Sequence, residues 1–394
     1  MSTSKIIVGP FHPIMEEPEF FTLTVDGETV VDADVRISYN HRGIEKLCED
    51  LTYDQIPFLL ARICGICSAS HPMAFCQAVE DLCGVEVPER GRYLRTIICE
   101  LERIHSHLLW VGLAGHFIGY NTVFMWAWKY REPVLDLCEK FTGNRNHYDN
   151  FCVGGVRRDM PEEALPEIRT LMDEVAGKVE MLTKAVLDDP VLRTRLGGVG
   201  VLKKEDAIRY CVTGPTARGS GLAIDVRADE PYAAYDLVDW EVKFQEAGDV
   251  FAKTVVRLLE TSEAVEIIRR CLEQMEPGEI RTEVREIPEG EGIGHAEAPR
   301  GETFHYVRGN GTNYPERYKV RAPTFVNLPS FKANVIGAEL ADAILIVAAM
   351  DPCYSCTERM GVVRKPPSGQ KETIDQKALI RMCRDKTERI RRSS

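Results

Sequence analysis

The chain has 394 residues, 44% of them hydrophobic and 28% charged, which is enough apolar material for a large core beneath an ordinary polar surface. Its formal net charge of −12 lacks the basic footprint of general nucleic-acid binding, so nucleic acid is excluded as a partner class. A membrane span needs about 18 apolar residues; the best run, residues 343–350, is far shorter, and MSTSKIIVGP shows no charged-then-apolar leader pattern.

Residues 20–37 predict a β-hairpin, because two β-rich runs flank Asp26-Gly27. From Arg92 to Val111 apolar residues recur at Leu94, Ile97, Ile98, Leu101, Ile104, Leu108 and Val111, the period of a helix with one buried face. Met160 to Asp188 opens with Pro161-Glu162-Glu163 and continues as a long amphipathic helix. Residues 232–275 read as another long helix or a pair. Residues 276–303 are rich in Gly, Pro and Glu and predict a loop and a return strand. Asn334 to Met350 predicts a last apolar helix.

Residues 360–394 differ in character, with ten Lys/Arg against four Asp/Glu. Two readings fit them: a solvated tail ending in a short helix, or a docking segment for an acidic partner or the membrane surface. The fold class is therefore mainly α with small β elements near both ends (α+β). It comprises one domain over residues 1–359 and a basic C-terminal tail over 360–394.

Of 13 cysteines, nine stand alone: Cys48, Cys76, Cys83, Cys99, Cys138, Cys152, Cys211, Cys271 and Cys383. They read as small buried hydrophobes, and a disulfide framework is not expected in a long chain without a leader. The other four form two pairs, Arg62-Ile-Cys64-Gly-Ile-Cys67-Ser-Ala-Ser-His71 and Asp351-Pro-Cys353-Tyr-Ser-Cys356-Thr-Glu-Arg359. Two residues between cysteines let both thiolates turn onto one metal. Four thiolates can close a zinc site, hold an iron–sulfur cluster or bridge two metals, and spacing alone does not choose. Nearly 290 residues separate the pairs, whereas zinc ribbons place theirs within a few tens.

The frames R-x-C-G-x-C-x-x-x-H and D-P-C-x-x-C resemble the two signatures of [NiFe] hydrogenase large subunits. Further stretches resemble the energy-converting, complex I-related branch: GPFHPIMEEPE (9–19), YNHRGIE (39–45), ELERIHSHL (100–108) and GNRNHYDNFCVGGVRRD (143–159). TGPTARGSGLAIDVRADEPYAAYD (213–236), EAPRGETFHY (297–306) and KVRAPTFVNLP (319–329) extend the resemblance over residues 9–359. The quinone-site 49 kDa subunit of complex I is similar in frame but generally lacks both cysteine pairs. A complex I-like quinone or coupling subunit without H2 activity is the alternative reading.

The resemblance implies a hydrogenase large-subunit fold and reversible formation of H2 from two protons and two electrons. It implies nickel held by Cys64, Cys67, Cys353 and Cys356, with Cys67 and Cys356 bridging to an iron that carries CO and cyanide. Arg300 matches an arginine that overhangs the site. Glu16 and Glu17 align with a proton-relay glutamate, with Glu17 the preferred one, and burial would raise such a carboxyl toward neutrality. His71 and His107 are candidates to tune the metal by donating to a ligand sulfur.

Glu45 matches a glutamate that binds magnesium in many hydrogenases. Arg359 stands where those enzymes usually supply a histidine, so the pattern departs there, and a Glu45–Arg359 ion pair is the other reading. The implied partners are a small subunit with a [4Fe–4S] cluster, ferredoxin as electron donor and integral-membrane, ion-translocating subunits. They imply a peripheral place on the cytoplasmic side of the cell membrane.

Overall fold

Three strands open the chain, Ser4–Val8, Phe20–Asp26 and Thr29–Arg36, paired antiparallel in that order. The computed structural model describes residues 3–393 apart from 14, 16, 38, 358–360, 366–369 and 375. The expected hairpin is present, with Phe21 opposite Val35 and Leu23 opposite Ala33. Alternation puts Phe21, Leu23, Val25 and Ala33 on one face, and that face packs on Phe331, Val335, Ile346, Val347 and Met350. Residues near 337 extend the sheet edge: Val30 N donates to Ala338 O at 2.9 Å and Leu340 N to Glu28 O at 2.8 Å. One hydrophobic cluster thus joins the two ends of the chain.

The middle is helical. Glu89–Phe117 is 29 residues long, about 44 Å at the usual rise. The apolar stripe read from Leu94 to Val111 is buried throughout. The expectation of a single buried face is corrected, because Arg95, Glu100, Glu102, Arg103, His105 and His107 are buried too. This helix packs on Asn121–Thr142 and on Val250–Gln274, which also packs on Leu165–Asp188.

Three expected boundaries shift. The helix anticipated over 232–275 begins only at Val250, where the Asp249 carboxylate caps it by accepting from Ala252 N at 2.7 Å. The irregular stretch before it delivers Tyr235 onto Glu100, at 2.5 Å. The long amphipathic helix starts at Leu165, after a 3-10 turn at Glu162–Ala164. The apolar helix over 334–350 is split into Phe331–Val335 and Leu340–Ala349, because the intervening residues pair with the N-terminal sheet.

Beyond residue 276 the return strand is a three-stranded antiparallel sheet of Glu289–Ala298, Gly301–Asn310 and Arg317–Arg321. Its first strand lies directly on the Ser70–Cys83 helix. A Cβ at Gly294 would sit 2.1 Å from Ala74 O, so only glycine allows the approach. In the tail, Gly361–Lys365 pairs with Gln370–Ile374, and the helix Gln376–Ser393 follows, exposed over 381–392. Among the described residues no helix is long and apolar enough to cross a membrane.

Candidate metal centre

Cys64 lies just after the helix Ile56–Leu60, and Cys67 just before the helix Ser70–Cys83. Cys353 follows Leu340–Ala349, and Cys356 is in the short helix Tyr354–Thr357. Because the N-terminal sheet and the C-terminal helices share one cluster, these distant loops meet. Cys353 Sγ is 3.3 Å from Cys64 Sγ and 3.0 Å from Cys356 Sγ. The sulfurs of Cys64, Cys353 and Cys356 all lie within 4.8 Å of one another, and all are buried. Cys67 completes the set from one side, its thiol hydrogen-bonded to Cys64.

The sulfurs share protons unevenly. Donation from Cys353, then from Cys356 and Cys67, pulls the Cys64 thiol well below its ordinary value. Donating to Cys64, together with burial, pushes Cys67 well up. A cation entering the cluster must displace thiol protons. Buried, soft sulfur donors suit a thiophilic transition metal and not a hard cation such as magnesium, so the residues fit nickel.

Arg300 closes the site. Its Nη2 pairs with Asp351 Oδ1 at 2.6 Å, Nε donates to Asp351 O at 2.8 Å, and Nη1 reaches Cys67 Sγ at 3.9 Å. Asp351 turns back to this guanidinium through a left-handed conformation, φ 53°, which a non-glycine residue adopts at a cost of about 1–3 kcal/mol. Gly214 permits the backbone crossing behind Arg300: a Cβ there would stand 2.4 Å from Arg300 O.

The other candidates separate. Glu17 accepts from Ser355 N at 2.7 Å and from the Ser355 hydroxyl, inside the second cysteine loop. It is half-buried and lines a recess of ≈ 360 Å³ with Pro10, Phe11 and His12. Glu16 lies outside the described residues. His71 Nε2 is 3.6 Å from the sulfur of Cys356, not that of its sequence neighbour Cys67, and its Nδ1 is 3.1 Å from His305 Nε2.

His107 goes elsewhere. Its Nε2 is 2.9 Å from Glu260 Oε2, and burial lowers it to about 4, so it is neutral at pH 7. It belongs to a buried ion cluster in which Arg218 binds Glu260 at 2.6 Å and Glu297 at 2.9 Å. Glu45 accepts from Val320 N at 3.1 Å and Lys319 Nζ at 3.2 Å. The anticipated pairing of Glu45 with Arg359 falls on a residue outside the described set.

Two neighbours were not anticipated from the sequence. The Glu102 carboxyl group, fully buried, accepts from Ala69 N, from Ser70 N at 3.2 Å and from the Ser70 hydroxyl, behind the first cysteine loop. Burial raises it to about 8. Arg42 donates to the backbone of both cysteine loops. Its own sequence carries no metal-ligand pattern; the only signal is its place in the YNHRGIE frame.

Comparison with known proteins agrees with this geometry. A family described as "Respiratory-chain NADH dehydrogenase, 49 Kd subunit" matches residues 118–287 and 279–359, and one described as "Nickel-dependent hydrogenase" matches residues 42–112. The chain is 41% identical to the membrane-bound hydrogenase subunit alpha of Pyrococcus furiosus, over 98% of this chain and 94% of that protein. It is 39% identical to formate hydrogenlyase subunit 5 of Escherichia coli, over 90% of this chain and 63% of that one.

It is also 36% identical to a subunit of the F(420)H(2) dehydrogenase of Methanosarcina mazei, over 91% of this chain and 99% of that one. Among solved structures, a chain of the membrane-bound sulfane sulfur reductase, an archaeal respiratory membrane complex, superposes with a TM-score of 0.86. That match is 31% identical and covers 91% of this chain and 98% of the other. The chain is an oxidoreductase subunit and belongs to the family of [NiFe] hydrogenase large subunits, in the energy-converting branch that shares its fold with the 49 kDa subunit of complex I.

Proposed function

We propose that this chain is the catalytic large subunit of a membrane-associated, energy-converting hydrogenase that interconverts H2 with two protons and two electrons. The observation that carries this reading is the meeting of sulfurs 64, 353 and 356 within 4.8 Å of one another, from opposite ends of the chain. Cys64, Cys67, Cys353 and Cys356 would hold nickel, and Cys67 and Cys356 would share it with an iron bearing CO and cyanide. That metal pair, when bound, supplies the redox chemistry on hydrogen.

The chain's own side chains do the rest. Arg300, fixed by Asp351, sets a permanent positive charge beside the Cys67 sulfur. Glu17 stands between the open recess and Ser355, one residue from Cys356, and is the carboxylate placed to pass protons along that route. Electrons would enter from a [4Fe–4S] cluster in a small subunit, with ferredoxin as donor. Integral-membrane subunits would couple the reaction to ion movement, with this chain peripheral on the cytoplasmic side. The name of the Pyrococcus furiosus relative, a membrane-bound hydrogenase subunit, supports the membrane association.

The test is H2 evolution from reduced ferredoxin by the purified complex, with Cys353→Ser beside it. Evolution by the parent, and its loss in a variant whose circular dichroism is unchanged, is the expected result. A second reading, a complex I-like quinone or coupling subunit, is favoured by the match of residues 118–287 and 279–359 to the respiratory-chain NADH dehydrogenase 49 Kd subunit family. It expects no H2 evolution from the parent and quinone-linked electron transfer indifferent to Cys353→Ser.

A further inference from the structure

We propose that Arg42 is a positioning residue that clamps the two cysteine loops together and so sets the spacing of their sulfurs. The inference rests on the reading of those loops as a metal site. The loops are 289 positions apart, so chain connectivity does nothing to hold them at 3.3 Å between Cys64 and Cys353. Non-covalent cross-contacts must do it.

Arg42 Nη1 donates to Arg62 O at 2.8 Å, and Nη2 donates to Ile63 O at 2.7 Å and to Ser355 O at 3.2 Å. The first two carbonyls immediately precede Cys64, and the third immediately precedes Cys356. A planar guanidinium with fixed donor directions binds three carbonyls in one geometry, so it fixes distance and angle together. A lysine is a single point of donation and cannot span the set.

Both ends of the clamp are anchored. Arg42 leads into the short helix Ile44–Cys48, whose Glu45 is tied to Val320 N and Lys319 on the C-terminal sheet. Ser355 is held from its other side by Glu17, which takes its N–H and its hydroxyl. Arg300 also joins the loops, but through the Cys67 sulfur and Asp351. Arg42 acts on the main chain that carries the sulfurs and touches none of them.

The experiment compares the parent complex, Arg42→Met, Arg42→Lys and a control, Arg308→Met, which removes an exposed ion pair to Glu316 that touches neither cysteine loop nor Glu45. Two readouts are taken: release of nickel to excess EDTA, and alkylation of Cys64, Cys67, Cys353 and Cys356 by iodoacetamide in metal-free chain, with buried Cys99 as internal reference. Arg42→Met should speed nickel release and alkylation of the four cysteines at least tenfold, with Cys99 and the melting temperature unmoved, and Arg42→Lys should fall between.

Parent-like rates in Arg42→Met, an equal rise at Cys99, or an equal effect of Arg308→Met overturns the proposal. A parent complex without nickel sinks the nickel reading alone; the alkylation pattern still decides the clamp.

Discussion

Glu17 sits between an open recess and the second cysteine loop, and the proposed function gives it the role of proton relay. Glu17→Gln keeps the shape and the acceptor for Ser355 N but cannot carry a proton. It should slow H2 evolution by about 10²–10⁴-fold, the usual worth of a positioned acid–base group, while nickel content stays at the parent level. Equal rates for variant and parent at all accessible pH values would remove Glu17 from the proton path.

At this scale the sequence was informative where a residue sits in a short recognisable frame, even when its spatial partners are far along the chain, as Cys353 is from Cys64 and Asp351 from Arg300. The cysteines and Arg300 sit in short frames that carry their meaning. Glu16 and Glu17 are adjacent, so no pattern could separate them. His107 lies in a stretch full of candidate ligands, yet its partner Glu260 is 153 positions away. Glu102 and Arg42 work through backbone groups 33 and 313 positions distant, which leave no trace in spacing.

Among the elements, the contact of Glu289–Ala298 on Ser70–Cys83 is a close-packed one. The same helix carries His71, whose Nε2 faces Cys356. Gly294→Ala puts a methyl where Ala74 O and Ala78 N already stand, at 2.1 and 2.5 Å, and the strand must lift. The expected cost is about 1–3 kcal/mol of stability, read as a lower denaturant midpoint. A midpoint equal to the parent's would show that the strand has room to move.

Element types were legible from periodicity, as the Leu94–Val111 stripe shows. Their ends were not. Val250 as a start was marked only by the Gly248-Asp249 dipeptide, and the break before Leu340 exists because residues near 337 serve a sheet that begins at the other end of the chain. That the middle of the Glu89–Phe117 helix is buried beyond its apolar stripe also escaped the sequence, since its charged residues are paired inside the core, Glu100 with Arg103 on the same helix at 3.1 Å and with Arg227 at 2.9 Å.

For the molecule as a whole, buried carboxyls link stability to pH. Burial lifts Glu102 from its ordinary 4.5 to about 8. Between those values the folded chain holds a proton that the unfolded chain has lost, so the contribution of Glu102 to stability falls as pH rises through this window. Glu102→Gln has no proton to hold. Its denaturant midpoint relative to the parent should therefore rise from pH 5 to pH 8, and parallel pH profiles would place Glu102 outside this linkage.

The closure of the chain's two ends into one cluster, which makes the centre, is the feature least legible in a linear reading. It depends on the pairing of Val30 with residues 337 and 338 and on packing between Phe21 and Phe331. Nickel per chain, measured in the complex purified without oxygen and in Cys353→Ser, tests the central claim most directly. The account predicts about one nickel per parent chain and almost none in the variant, because four thiolates define the site. No nickel in the parent after full maturation, or zinc in its place, would contradict it.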